Sequence, residues 1–532
     1  MRVGIDVGGT HTDAVILDGS QVLASVKQLT SENVRDGVFS ALDAVLESAQ
    51  ISHECVQAVM IGTTQFTNAV VERRELQPTA VIRAALPSGA MTPPMVDWPD
   101  DIAQAVGRHA FMIHGGQTYD GFPIGELDES ELDRVLDSIE EKGLSLVAIS
   151  SVFAPSNPTQ ERLIGERVKQ RLPDAQITLS HRIGGMGLLE RENAAILNTS
   201  LLPLATKVIK AFEQALAERG MGCPFFVSQN DGTLMSADFA AEFPALTFAS
   251  GPTNSLRGAS LLTERSDALV VDIGGTTSDI GVLQGGFPRQ SNVAIAVGGV
   301  RTNFRMPDIQ ALGLGGGSVV SEDGSQIGPT SVGYKLPQEG RIFGGETLTS
   351  TDIAVASGAA SFGDPSNVDE LPAEVIERAT QTMHQMIDRG IDQMRSSSSP
   401  VPVILVGGGS ILISRQLETA SELLRPEYAA VANAIGAANA QIGREIEKIV
   451  SYRSQSREEI LKELAAILTQ ELTDAGADPE SVRIADVEET AISYLAEESS
   501  KLRIKMVGDL KFTGDSKVQG PNPGTAGEEG ST

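Results

Sequence analysis

At 532 residues the chain is too long for one ordinary domain and long enough to bury a sizeable core, which excludes a small disulfide-stapled scaffold. A hydrophobic share of 41% against 21% charged residues is that of a globular chain, and aromatics at 4% leave alanine, glycine and small aliphatics to build the core. Seventy acidic against 41 basic residues give a net charge of −29, which argues against nucleic acid or an anionic membrane as the main partner.

From Arg2 the pattern is a short apolar run to Val7, a Gly-Gly-Thr turn, a second run from Ala14 to Leu17, the turn Asp18-Gly19-Ser20 and a third run from Val22. This predicts a three-strand meander with a glycine-rich first turn. Helical periodicity follows over Val34 to Ala49 and Leu127 to Lys142, with a buried-strand pattern from Leu146 to Val152, and such alternation indicates α/β lobes. Leu188 to Gly220 reads as one or two helices interrupted at Pro203 and as the crossing from a first lobe to a second.

At Ala268 the opening arrangement returns. A shift of 266 residues aligns Asp6, Gly8, Gly9, Thr10 and Asp13 with Asp272, Gly274, Gly275, Thr276 and Asp279. A solenoid repeats every few tens of residues, so this period implies two similar lobes with a ligand cleft between them. Further along come the glycine-rich stretch Asp308 to Ser318, the polar linker Arg395 to Pro400, and the apolar strand Val401 to Val406 running into Gly407-Gly408-Gly409-Ser410. Val431 to Ala438 is a helix of small residues suited to close packing between lobes. The expected division is an N-terminal lobe over 1–187, a C-terminal lobe over 188–512 and a disordered tail over 513–532, where Gly, Pro and charge dominate.

The chemistry resides in the glycine turns. Glycines after a strand let successive backbone N–H groups form an anion-binding concavity, to which Thr10 and Thr12 can add hydroxyl donors. A strand-end carboxylate repels a bare phosphate, so Asp6 fits there only with a hydrated Mg²⁺ between them. One copy of the turn is equally well a tight hairpin; a second copy, with Asp272 sharing the metal and Gly274, Gly275, Thr276 and Thr277 forming the opposite jaw, points to a triphosphate held from both sides. Asp13 and Asp279 either orient water or metal or cap their own turns. Gly407, Gly408 and Gly409 would admit adenine and ribose against the backbone, or form a plain loop. Asp308 before its glycines is a candidate to face the reacting group, with a structural loop as the equal alternative.

Histidine and cysteine spacings draw no zinc site, and Cys55 and Cys223 suggest neither a disulfide framework nor an iron–sulfur cluster. The start lacks the apolar stretch of a signal peptide, so a cytoplasmic location is expected. His11, inside the first turn, is the histidine closest to the presumed chemistry.

The doubled Asp-x-Gly-Gly-Thr turn resembles that of the actin, sugar-kinase and Hsp70 type. The run Gly4 to Asp13, Gly62-Thr63-Thr64 with Thr67 to Arg74, Asp272 to Asp279, Asp308 to Ser318 continuing through Gly328-Pro329 and Gly344 to Asp352, and Asn433 to Ala438 together resemble the hydantoinase A and oxoprolinase family. That resemblance implies a two-lobed actin-like ATPase fold made of duplicated ribonuclease H-like domains. It also implies ATP and Mg²⁺ as cofactors, and ATP-dependent opening of a small cyclic amide such as a hydantoin, lactam or oxoproline. The amide oxygen would be phosphorylated, commonly alongside a hydantoinase B-like subunit, and related assemblies carboxylate ketones instead. His11 stands where the family has a bulky aromatic, and Ile61 where it often has histidine before Gly62-Thr63-Thr64. The reading from a different class is an ATP-driven switch that remodels a partner enzyme.

Overall fold

The structure is a computed structural model and describes residues 1–8, 11–30, 34–291, 294–453, 455–492 and 499–512. Gly9, Thr10 and the tail at 513–532 therefore lie outside the described residues.

The opening meander forms as read, with strands Arg2–Val7, His11–Asp18 and Gln21–Leu29. Val3, Ile5 and Val7 alternate into a core with Ala14 and Ile16, because successive residues of a strand point to opposite faces. The opposite face, carrying Gly4 and Asp6, is left for the middle of the molecule. Outward from Arg2–Val7 the sheet continues through Ala58–Thr63, Phe225–Ser228, Leu234–Ser236, Ile442–Ser451, Ser499–Gly508 and Arg483–Ala491, nine strands in all. The second sheet is built on Ala268–Ile273 and Ser278–Gln284, flanked by Val401–Val406 and Ala420–Leu424 on one side and by Ile309–Leu312 and Phe287–Pro288 on the other.

The two sheets do not divide the chain at residue 188. The Leu188–Glu218 helix packs Ile196, Leu197, Leu201 and Phe212 into the core of the first sheet, and strands from 225–236 and 442–508 extend that sheet. The crossing expected in this helix takes place instead at the Ser250–Thr263 helix, which leads into Ala268. Pro203 does not interrupt the long helix, which runs for 31 residues. An interior proline removes one backbone bond and costs about 3 kcal/mol; here residues 191–202 are buried on every face, and that packing holds the helix together.

A separate four-stranded parallel sheet, in the order His109–His114, Ala80–Leu86, Leu146–Ser151, Gln176–Leu179, is inserted within the first lobe and has its own core. It is fastened to the long helix by two buried arginines. Arg83 donates through Nε to Glu192 at 2.7 Å, and Arg191 reaches the Ser151 carbonyl at 2.6 Å. A desolvated charge of this kind is tolerable only when it is paired and hydrogen-bonded.

Between the two main sheets lie two helices. Ser250–Thr263 covers the second sheet through Leu256 and Ala259, and Ala432–Ala438 covers the first through Ala434, Ile435 and Ala438. They cross at glycines. A Cβ on Gly258 would lie 1.8 Å from the Ala432 carbonyl oxygen, and one on Gly436 would lie 1.9 Å from the Asn254 carbonyl oxygen. The small-residue pattern is thus what allows two backbones to touch and fixes the distance between the sheets. Among the described residues no helix is long and apolar enough to cross a membrane.

Candidate active site between two hairpins

The sequence repeat is a structural repeat. Asp6 pairs with Asp13 across the first hairpin, and Asp272 with Asp279 across the second, in the same register. The turn closures match as well: Gly8 N–H donates to the His11 carbonyl at 3.0 Å, and Gly274 N–H to the Thr277 carbonyl at 2.9 Å. The parallel strand beside each aspartate leads into glycine. A Cβ on Gly62 would fall 2.0 Å from Asp6 Oδ1, and one on Gly407, at φ +81°, would fall 2.3 Å from Asp272 Oδ1. Each carboxylate occupies the space its neighbouring glycine leaves open.

The two hairpins face one another. Asp6 is 4% exposed, and burial pushes its carboxyl up to about 6, with Asp13 and Asp272 adding repulsion while bonds from Asn254 and Asn433 act in the opposite sense. Burial likewise raises Asp272; a Ser255 bond and the Lys27 charge oppose that rise, and Asp13 adds to it. Asp279 is driven up to about 7 by burial and by Asp272. Burial and then Lys27 push His11 below the usual histidine range, against the pull of Asp13. Four carboxylates held this closely need positive charge among them.

Lys27 supplies one such charge, meeting both Asp13 oxygens at 2.8 and 2.9 Å and the Ala430 carbonyl at 3.2 Å. Asn433 Nδ2 bridges Asp6 Oδ2 and Asp13 Oδ2 at 3.0 and 2.9 Å, and Asn254 Nδ2 donates to Asp6 Oδ1 at 2.9 Å. Among the described residues no three His, Cys, Asp or Glu side chains gather closely enough to ligate a bare metal ion. Carboxylates such as Asp6 and Asp272 can meet a hydrated divalent cation through water, and such a cation would offset the buried negative charge there.

The other expected residues divide. Gly407 to Gly409 do join the site: a Cβ on Gly409 would lie 2.6 Å from Ile273 Cγ2, and one on Gly408 3.8 Å from Lys27 Cε. Gly274, Gly275 and Thr276 are half-buried at the second turn and Thr277 is exposed there. Thr12, expected to offer its hydroxyl to phosphate, is fully buried with its Oγ1 3.4 Å from Thr30 Oγ1, so it braces the first turn from inside. Asp308 is not at the site. Its Oδ2 accepts from Arg289 Nε and Nη2 at 3.0 and 2.7 Å, and it sits just before the Ile309–Leu312 strand, three residues from Ala311, the partner of Asp279. That spacing is about 10 Å. The glycines after it support the second turn, Gly316 N–H meeting the Gly274 carbonyl at 3.0 Å and Gly317 N–H that of Gly275 at 2.7 Å.

Sequence reading missed Lys27, Asn254 and Ser255 as site residues. None lies in a glycine motif, and only the fold brings them to the aspartates. Gly62 did carry a signal, since a glycine ending a buried strand implies something close beside it.

The profile of the hydantoinase/oxoprolinase N-terminal region matches residues 2–172, and that of hydantoinase/oxoprolinase matches residues 191–361. The chain belongs to the hydantoinase/oxoprolinase family. Among its curated relatives are caprolactamase subunit alpha of Pseudomonas jessenii, 26% identical over 68% of this chain and 55% of that one, and the acetophenone carboxylase gamma subunit of Aromatoleum aromaticum, 23% identical over 67% and 53%. This family member thus spans about half the length of those relatives. The crystal structure of ATP-dependent caprolactamase from Pseudomonas jessenii superposes with a TM-score of 0.75 at 20% identity, covering 96% of this chain and 88% of that chain. That match shows that the chain shares the α/β fold of the caprolactamase structure.

A cleft of about 1250 Å³, lined by Arg182, Phe239, Arg444 and Glu447 among others, opens elsewhere on the molecule and is bordered by neither hairpin.

Proposed function

We propose that this chain binds Mg·ATP between its two hairpins and uses it to activate the oxygen of a small cyclic amide, as the ATP-binding subunit of a two-component enzyme. The observation that carries the proposal is the pair of registered hairpins, with the Asp272 charge of one acting on the buried Asp6 of the other. An unactivated amide is a poor electrophile. Attack of its oxygen on the γ-phosphorus, with ADP leaving, makes the carbon an activated O-phosphorylated imidate; one water adds at that carbon and the ring nitrogen leaves as the amine, and a second water hydrolyses the resulting acyl phosphate to carboxylate and phosphate. Phosphoryl transfer asks mainly for positioning and charge neutralisation. On this reading the N–H groups of the two turns hold the phosphates from opposite sides, and Gly407 to Gly409 leave room for the nucleoside. A magnesium ion would neutralise the phosphate charge that Asp6 and Asp272 would otherwise repel.

A hydantoinase B-like partner and the cyclic-amide substrate class are part of the proposal, supported by the names of the caprolactamase relative and of the family. Purified chain, with whatever protein copurifies, is assayed for Mg²⁺-dependent phosphate release over a panel of lactams, imides and hydantoins. Stimulation by one of them, with ring-opened product, is expected; release unchanged by every compound sinks the proposal. The second reading, ATP-dependent carboxylation of a ketone, draws on the acetophenone carboxylase relative. It takes over if turnover requires bicarbonate and a ketone.

A further inference from the structure

Asn254 occupies an unusual position. It belongs to the Ser250–Thr263 helix, which packs on the second sheet, yet its amide donates to Asp6 of the first. The next residue, Ser255, acts on Asp272 of the second sheet, holding its carboxyl down against burial. Consecutive residues of one helix therefore hold the two facing aspartates, one from each lobe.

The amide orientation has only one workable choice. Asp6 Oδ1 accepts, so Asn254 must present Nδ2 to it and turn Oδ1 away. Asn254 is 1% exposed, and its Oδ1 has no hydrogen-bond partner among the described residues. Two hydroxyls nearby share that condition. Ser250, one helical turn earlier on the same face, is 1% exposed with its Oγ unpartnered. Ser228 is fully buried with its Oγ unpartnered, and it follows Val227, the partner of Ile61, so it lies beside Gly62. A Cβ on Gly62 would stand 2.6 Å from Asn254 Nδ2, and residues directly opposite in neighbouring strands are about 5 Å apart. One acceptor and two hydroxyls, all buried and without partners among the described residues, thus lie on the segments packed beside Asp6. Groups in that condition are rarely left dry in native proteins, and such a site has the two to four polar partners that a buried water needs.

We propose that Asn254 is a positioning residue for Asp6, its amide locked from behind by an ordered water shared with Ser228 and Ser250. Gly62 provides the gap, the water fixes which way the amide points, and Asp6 is held in one rotamer for the hydrated cation. The helix crossing at Gly258 and Gly436 transmits that position to Asp272 through Ser255. The cation part of this inference rests on the nucleotide reading above; the water and the amide orientation do not.

The test has two arms. A high-resolution crystal structure of the nucleotide-free full chain is expected to show one ordered water within hydrogen-bond distance of Asn254, Ser228 and Ser250; a flipped amide or a direct hydroxyl–amide bond overturns the lock. In the second arm, Asn254→Ala, Asn254→Asp, Ser228→Ala and Ser250→Ala are compared with the parent by calorimetric binding of ATP with and without Mg²⁺, and by thermal melting. Asn254→Ala is expected to raise the half-saturating Mg²⁺ concentration about tenfold while Mg²⁺-free ATP binding stays unchanged. The two serine variants should raise it about threefold, and Asn254→Asp should abolish the magnesium effect. A folded Asn254→Ala protein with unaltered magnesium dependence refutes the positioning role even if its melting temperature drops. If the parent binds no nucleotide while the water and amide stand as described, the nucleotide reading fails together with the cation part, and the lock survives.

Discussion

The two hairpins share a motif, a register and a turn closure, but not an electrostatic state. In the first, Asp13 is paired with Lys27, and Asp6 is bonded through both oxygens to asparagines. In the second, Asp272 has Ser255, and among the described residues Asp279 takes no hydrogen bond or ion pair and is pushed up to about 7. The sequence states the reason. The residue 266 positions after Lys27 is Val293, so the repeat carries no second lysine. Lys27 gives the first hairpin a protein cation on Asp13, while Asp6 beside it is still pushed up to about 6; the second hairpin has no lysine of its own, and a cation bound with the nucleotide would supply that charge. A duplicated motif thus repeats backbone geometry, while unrepeated residues decide which copy still lacks a counter-charge.

The comparison breaks most visibly if either jaw is removed. Asp272→Ala and Asp6→Ala should each lower Mg·ATP turnover by about a thousandfold or more with the circular dichroism spectrum unchanged; full activity in either would end the two-jaw account. Next in size, Gly436→Ala should cost about 3 kcal/mol in urea unfolding, since its Cβ would meet the Asn254 carbonyl oxygen at 1.9 Å and backbone cannot yield as a side chain does. The same variant should weaken Mg·ATP binding by shifting one jaw against the other. Lys27→Met leaves Asp13 buried without its cation. With the lysine about a third exposed, a loss of about 2 kcal/mol at pH 7.5 is expected from the same measurement.

The smallest effect sharpens the contrast through pH. Asp279 has a folded value of about 7 against an ordinary 3.8, so the folded state holds its proton more tightly. That group's cost is absent below the unfolded value, grows as pH rises between the two, and is complete above the folded one. Asp279→Asn should therefore leave stability unchanged at pH 4 and add about 1–2 kcal/mol at pH 8. The gain should vanish when Mg·ATP is present. An equal gain at both pH values would show that charge is not what sets the second hairpin apart.

Much of this was legible in the chain itself. The meander, the Val34–Ala49 helix, the Leu146–Ser151 strand and the 266-residue repeat follow from local periodicity and turn chemistry, and the small-residue run at 432–438 does lie at a close crossing. The sheet assignment was not legible: Phe225 pairs with Val59 and Ile442 with Leu234, and pairing at such range leaves no local trace. Asp308 misled because an acid before glycines looks alike whether it faces a ligand or, as here, an arginine just past the Phe287–Pro288 strand.

What the sequence determined alone, then, was the pair of hairpins, because a strand, a tight turn and a carboxylate are specified by residues next to one another. The tertiary structure decided how those carboxylates are held. Lys27, the consecutive pair Asn254 and Ser255, and Asn433 come from three separate places in the chain, and only the packing of two sheets across two crossing helices brings them to the aspartates. Electrostatic state is a property of that proximity and of the exclusion of water, and neither is written in any single stretch of residues.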